Sequence, residues 1–415
     1  MRRPLLALGS LLGIYVAAML VLPTAEGWAG DEPAYLELAR NITQGHYRDG
    51  SPDGPLNMCF PGWQTPDLWY GPGYPAFLAP FAAMGLPVSV IRLVGPMLLV
   101  ASVLLFYRLL LETVSRRAAF LGALGLGLFV PFYRYLPHLH SEFLALVLVV
   151  AAMLAITRLV RSGSRVAGLA AAAALAGVAL TRVAYGWVLT VLLVVFAAWW
   201  LLRRSSTARR LAAATGLALA LCVPWLAYTY SVTGRPLLWA TSGSVSLYWM
   251  SSPYPDDRGD WHCASDVFSR QWLAPHRPFF TAHADDPPVE QGRALERQAR
   301  RHIVDHPGKY LENIAANASR IVFNAPYSRR PLDLRSLVFI VSGAVLVGLL
   351  ALAVGRLVRV RRRLPPEWPA FALFAAAAFA VHLPISAYVR MLIPIVPALL
   401  WLIVVALAEQ RRTPR

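Results

Sequence analysis

Apolar residues in this chain run in long stretches, separated by short basic turns and two longer polar segments. Ten stretches stand out, at about 4–22, 88–110, 118–134, 142–160, 166–181, 184–202, 211–230, 337–354, 369–387 and 391–408. A helix needs roughly 20 residues to cross a hydrocarbon core, so each stretch is read as one membrane span. The fifth and sixth nearly touch and need a tight turn between them. Arg2 and Arg3 give the first stretch the outline of a signal peptide. Its apolar part is long, however, and the residues before Glu26 make a poor cleavage site, so it is expected to stay as a helix.

The expected fold is therefore an all-α polytopic membrane protein with about ten spans. Residues 1–230 hold spans one to seven and a first loop, 23–87; residues 231–336 form a large second loop; residues 337–415 hold three more spans and a tail. In the first loop, "DEPAYLELARNI" places Tyr35, Leu38, Ala39 and Ile42 on one helical face and Glu37, Arg40, Asn41 and Gln44 on the other. Pro33 suits a first turn, with Asp31 or Glu32 as its cap. Such a helix is expected to lie along the membrane surface. Trp63, Trp69, Tyr70 and Tyr74 in the turn-rich section that follows are typical of an interfacial loop. The run 74–85 is too short to span and predicts a second surface helix. The second loop ends in two helices broken at His306-Pro307-Gly308.

Composition supports the membrane reading, since only 15% of the residues are charged and 57% are hydrophobic. The net charge of +17 does not indicate nucleic acid, because the arginines sit in short clusters between apolar runs. These are Arg2/Arg3, Arg116/Arg117, Arg158/Arg161/Arg165, Arg203/Arg204/Arg209/Arg210, Arg356/Arg359/Arg361/Arg362/Arg363 and Arg411/Arg412/Arg415. With ten spans all of them fall on one side, which the positive-inside rule makes cytoplasmic. Arg329, Arg330 and Arg335 oppose this from a long loop, where charge has little influence on orientation. Both large loops then lie outside, and the chemistry is expected there. Cys59 and Cys263 fall one in each outer loop, where a disulfide can persist; a bridge between them and two free thiols are both open readings. Asn41-Ile-Thr43 and Asn317-Ala-Ser319 match a glycosylation triplet but lie within predicted helices.

Three short outer turns carry arginines that orientation alone disfavours. One holds Arg134, His138, His140 and Glu142; the next holds Arg182; the third holds His382 and Arg390. Ionisable groups at this depth are costly and usually mark a site. Guanidinium groups bind phosphate oxygens in pairs and stay charged. The bland alternative is that each arginine reaches for lipid headgroups.

The sequence resembles the GT-C glycosyltransferases, within them the branch of aminoarabinose transferases and protein O-mannosyltransferases. The resemblance rests on "GDEPAYLELARNI", "GPGYPAFLAPF", "HSEFLALVLVVAAMLA", "ALTRVAYGWVL", "PWLAYTYSVTGRPLLWAT", "HPGKYLENI" and "YVRMLIPIVPALLWL", in that order. Residues 244–288 match no part of it, and the chain lacks the large soluble domain of some relatives. The resemblance implies a polyprenyl-phosphate sugar donor in the outer leaflet and inverting transfer to an acceptor hydroxyl of a lipid, glycan or protein. It implies a bacterial-type cytoplasmic membrane with the active site extracytoplasmic. It maps the catalytic carboxylate to Asp31, with Glu32 beside it. Donor contacts map to Arg390 and the His138/His140 region, and Arg182, Arg134, Glu142, His382 and Tyr74 complete the candidate set. A divalent cation (Mg, Mn or Ca) between the acids and the phosphate stays open, although no dedicated ligand set is visible. The alternatives are a transporter or flippase of a lipid-linked sugar and a non-catalytic subunit of an envelope glycan assembly complex. Neither an inverted repeat nor a helix broken at mid-membrane supports the transporter.

Overall fold

A computed structural model describes residues 2–22, 31–47, 68–329, 332–360 and 364–408. Among these the chain is helical throughout, with no strand. The first part comprises α1 (Arg2–Gly9), α2 (Leu11–Val21), α3 (Glu32–Thr43), α4 (Gly73–Ala83), α5 (Val88–Ile91) and α6 (Val94–Leu111). There follow α7 (Arg116–Gly127), α8 (Pro131–Tyr135), α9 (Ser141–Ser162), α10 (Arg165–Thr181), α11 (Ala184–Arg203) and α12 (Ser206–Thr233). The second loop holds α13 (Ser242–Met250), α14 (Ala264–Ser269), α15 (Arg277–Ala282), α16 (Pro288–Asp305) and α17 (Pro307–Phe323). The chain closes with α18 (Leu334–Val360), α19 (Trp368–His382) and α20 (Val396–Leu407).

Among the described residues seven helical stretches are long and apolar enough to cross a membrane: Pro4–Val21, Val88–Leu111, Arg116–Tyr135, Ser141–Ser162, Ala184–Arg203, Ser206–Thr233 and Leu334–Arg359. Helices α10, α19 and α20 are apolar but shorter. Val194, Leu202, Val345 and Leu352 stand more than half exposed on the bundle. Apolar side chains spread over the outer surface fit a bundle whose surroundings are lipid. The molecule is thus a multi-helix protein of membrane-spanning type.

Small turn residues set the hairpins. Gly163 ends α9 at φ 68° and Ser164 accepts from the Ala167 amide to start α10; Ser115 and Ser205 cap α7 and α12 in the same way. Only Arg182 and Val183 join α10 to α11. The most buried of the long helices is α9, which packs on α6 and α10. α10 in turn meets α12, and α19 and α20 close the far side against α11, α7 and α18.

The ends of α6, α9, α18 and α19 gather at one pole, where Arg161 donates to Glu367 at 2.5 Å and to the Glu112 carbonyl at 2.8 Å. Arg356 caps the last carbonyl of α20 there, at 2.6 Å. The residues around Asp31, Glu142, Arg182 and Arg390 lie at the opposite ends of these helices.

One sequence expectation changes. The ninth and tenth stretches end and begin differently: α19 stops at His382 and α20 starts at Val396, with a 3-10 turn at Val389–Leu392 between. Pro384 and Pro394 lack the amide that a continuous helix needs. α4 is short and one-sided, with Tyr74, Pro75, Leu78 and Ala79 buried against α3 and α10 and Ala76, Pro80 and Ala83 exposed. A Cβ on Gly73 would stand 2.7 Å from the Thr181 amide, and one on Gly71 would strike the Leu180 carbonyl. These two glycines let the backbone before α4 sit against the end of α10.

The expected break between α16 and α17 falls at His306. Cys263 is disulfide-bonded, Cys222 is free and buried, and Cys59 lies outside the described residues, as does Trp63.

Candidate functional site

Asp31 occupies the N-cap position of α3 with helical backbone angles, yet its side chain makes no capping bond. Its Oδ2 instead accepts from Arg390 Nη1 at 2.5 Å, and its Oδ1 accepts from the Tyr70 hydroxyl at 2.9 Å. Arg390 comes from the 3-10 turn between α19 and α20. Its Nε lies 3.6 Å from Glu142 Oε1, in the first turn of α9. Arg182, in the two-residue turn after α10, places Nη1 2.8 Å from the same oxygen. Four separate segments thus build a run of alternating charge: Arg182, Glu142, Arg390, Asp31.

These contacts do not satisfy Glu142. It is 1% exposed, and both of its oxygens and Arg390 Nε are buried without a hydrogen bond of good geometry. Arg182 Nη1 points instead toward Ser141 Oγ at 3.4 Å, and that hydroxyl lies 3.0 Å from the Tyr35 hydroxyl. Buried ions left this way are costly unless something else completes them.

Glu32, expected to support Asp31 in catalysis, has different partners from its neighbour. It is 3% exposed. Arg92 grips it with both Nε and Nη2, at 2.9 and 2.6 Å, and the Leu139 amide donates to it at 2.8 Å. Every strong partner holds the side chain in place, so Glu32 fastens α3 to the start of α6 and to the turn before α9.

The histidines divide. His138 Nδ1 is 3.8 Å from Glu32 Oε2, and His140 Nδ1 is 3.9 Å from Glu142 Oε2, both beyond hydrogen-bonding distance. Both rings border the acids, 6.4 Å apart. His382 is turned to its own helix, with Nδ1 2.6 Å from the Ala378 carbonyl, and its ring packs on Tyr185. Arg134 does not join the run. It is exposed and lies over the rings of Tyr135 and Phe339, at 5.9 and 5.6 Å. Tyr74 packs edge-on against Tyr35 at 4.9 Å, one layer behind Asp31.

Burial acts to raise the Asp31 carboxyl, but Arg390 and the Tyr70 hydroxyl outweigh it and hold it below the usual carboxylate range. Burial likewise opposes ionisation of Glu32, while His138, Arg92 and the Leu139 amide bring it down to about 2. Burial keeps His140 neutral, its value lowered to about 4. Three carboxylates, Asp31, Glu32 and Glu142, therefore face three guanidinium groups, Arg390, Arg92 and Arg182.

The turn that carries Arg390 is pinned from the second loop by α17. Asn317 Nδ2 donates to the carbonyls of His382, Leu383 and Ile385, and Asn317 Oδ1 accepts from the Ala387 amide. Arg320, wholly buried, donates to the carbonyls of Ala387, Arg258 and Pro326 and to Asn317 Oδ1. The triplet beginning at Asn317 thus has its amide fully engaged.

Sequence reasoning missed Tyr70, Arg92, Ser141, Asn317 and Arg320. Arg92 had a signal, since it sits at the outer end of an apolar stretch like the arginines that were noticed. The others are ordinary polar residues whose meaning lies only in what they touch.

Among the described residues no three His, Cys, Asp or Glu side chains gather to ligate a cation. No protein family model matches the chain, and no curated protein matches it closely enough to count as a relative.

Proposed function

We propose that this chain is a multi-pass membrane glycosyltransferase. It moves a sugar from a polyprenyl-phosphate-linked donor to an acceptor hydroxyl on the extracytoplasmic face, with inversion. The reading uses ten spans, with α10, α19 and α20 as shorter ones, both termini inside, and a bacterial-type cytoplasmic membrane. The observation that carries it is the alternating run Arg182, Glu142, Arg390, Asp31, centred on the buried Glu142 and otherwise partly buried, at the pole opposite the basic clusters.

In the proposed reaction Asp31 takes the proton of the acceptor hydroxyl. The acceptor oxygen then bonds to the anomeric carbon while the bond from that carbon to the phosphate oxygen breaks. The departing lipid phosphate keeps the electron pair, and Arg390 and Arg182 stabilise its charge. Glu32 holds α3, and with it Asp31, in register. The acceptor is a lipid, a glycan or a protein.

One observation favours a second reading. Each acid is paired with an arginine, as in a fastening cluster of a non-catalytic subunit. Purified protein incubated with a defined polyprenyl-phosphate sugar separates the two. Turnover that Asp31→Asn abolishes supports the enzyme. No turnover with any donor, together with unchanged envelope glycans in a deletion strain, supports the subunit.

A further inference from the structure

Asp31 can take a proton from an acceptor only with an oxygen that faces that acceptor. In the structure both are engaged, Oδ1 by the Tyr70 hydroxyl and Oδ2 by Arg390 Nη1. A phosphate likewise needs guanidinium donors, and Arg390 spends its shortest contact on Asp31. Each keeps further lone pairs or N–H groups, but the closest contact of each is spent on the other, so the base and the anion-binding cation compete for one another.

The surroundings show where Arg390 can go. Its Nε lies 3.6 Å from Glu142 Oε1 and is itself buried without a hydrogen bond. Both Glu142 oxygens also lack one, as does His140 Nδ1 beside them. Glu142 sits on α9, the most buried of the long helices, and Arg182 Nη1 lies 2.8 Å from the same Oε1 that Arg390 approaches. Arg390 thus has a second carboxylate within reach, short of hydrogen bonds and approached through Nε, whereas Asp31 is approached through Nη1. The turn that carries Arg390 is tied down by Asn317 and Arg320, so the side chain and not the backbone is free to shift.

The geometry points to an anion-gated base: a phosphate-type anion takes Arg390 from Asp31, Glu142 retains the other side of the guanidinium, and only then is Asp31 Oδ2 open to an acceptor hydroxyl. This rests on the proposed function and adds an order to it, with the donor's anionic group binding before the base is available. It also assigns Glu142 as the residue that positions Arg390 in the open arrangement. Such a gate keeps the base closed until a donor is present.

The consequence is a competition that binding can measure without any turnover. The probe is decyl phosphate, titrated by calorimetry into the full chain in detergent, with inorganic phosphate titrated alongside. Asp31→Asn removes the internal competitor and should bind decyl phosphate about tenfold more tightly, since an ion pair at this range shifts ionisation by about one unit or more. Glu32→Gln removes the adjacent negative charge, which belongs to Arg92, and should change affinity much less. Arg390→Ala should bind weakly, and adding Asp31→Asn to it should bring no gain. Glu142→Gln should bind less tightly than wild type, because the open position of Arg390 loses its support.

Equal effects of Asp31→Asn and Glu32→Gln would overturn the gate and leave the proposed function standing, because both would then act only through general charge. A gain from Asp31→Asn that persists without Arg390 would overturn it in the same way. Failure of wild type and Asp31→Asn alike to bind decyl phosphate saturably would remove the proposed function, and the gate with it. Tight binding of inorganic phosphate with the same mutant pattern supports the gate for a free anion. Binding of decyl phosphate alone supports it for a lipid-borne one.

Discussion

Arg390 Nη1 meets Asp31 Oδ2 at 2.5 Å across 359 positions of chain, and the contact joins the last irregular turn of the protein to the first surface helix. Both residues are central to the proposed chemistry, so their variants separate base from cation. Asp31→Asn keeps the size of the side chain but cannot accept a proton at neutral pH. With purified protein and a defined donor, turnover should fall by roughly 10²–10⁴-fold while the protein still folds. Arg390→Ala should lose donor binding, and Arg390→Lys should restore only part of it, because an ammonium lacks the planar fork. Full activity of Asp31→Asn would remove the base from this residue.

Glu32 is assigned to structure, and its variants should behave accordingly. Glu32→Gln loses the paired grip of Arg92 and should lower stability by about 1–3 kcal/mol, the usual cost of spoiling a buried charged hydrogen bond. Thermal unfolding in detergent measures this. A melting temperature unchanged by Glu32→Gln, with turnover lost instead, would move the catalytic role to Glu32.

Acid should act in two windows of opposite origin. His140 is held to about 4 by burial against an ordinary value of 6.5, so the unfolded chain binds its proton first as the pH falls. Stability should decline from about pH 6.5 to about pH 4 on this account. Glu32 is held down to about 2 against an ordinary 4.5, so its contribution is complete above about pH 4.5 and fades as the pH falls toward 2. His140→Asn should flatten the upper window and Glu32→Gln the lower. Melting curves at about pH 7, 5 and 3 would show each change.

Asn317 and Arg320 should control the turn at 382–390 without touching a substrate. Arg320→Ala strands the carbonyls of Ala387, Arg258 and Pro326 and leaves Asn317 Oδ1 one donor short. Amide exchange in peptides covering 383–392 should speed up, while the middle of α9 stays protected. Equal acceleration in both places would indicate global loosening and argue against a local clamp. Gly73→Val tests the opposite side of the site. Its new side chain meets the end of α10 and should cost about 1–3 kcal/mol, read from the melting temperature.

The ten-span arrangement has a direct test. Ser269→Cys, in the exposed part of the second loop, should react with an impermeant maleimide added to intact cells. Ser162→Cys, beside the basic pole, should react only after permeabilisation. Labelling of both from one side would break the proposed topology.

Much of this protein could be read from its order of residues alone. Apolar stretches of helical length marked the long helices, because lipid tolerates only backbones that satisfy themselves. The acidic pair and the arginines of the short turns were visible because charge is out of place beside long apolar stretches. What each charge does was not visible there. Asp31 and Glu32 are neighbours in sequence, and by sequence either could cap α3; tertiary packing aims one at Arg390 and Tyr70 and the other at Arg92 and the Leu139 amide. Arg134 and Arg182 occupy similar turns, yet only Arg182 reaches Glu142, because α10 ends against α9 while Arg134 is turned onto the Phe339 ring of α18. Local preference acts over a few residues, whereas ion pairs form wherever separate segments meet, and that meeting is decided by how the helices pack.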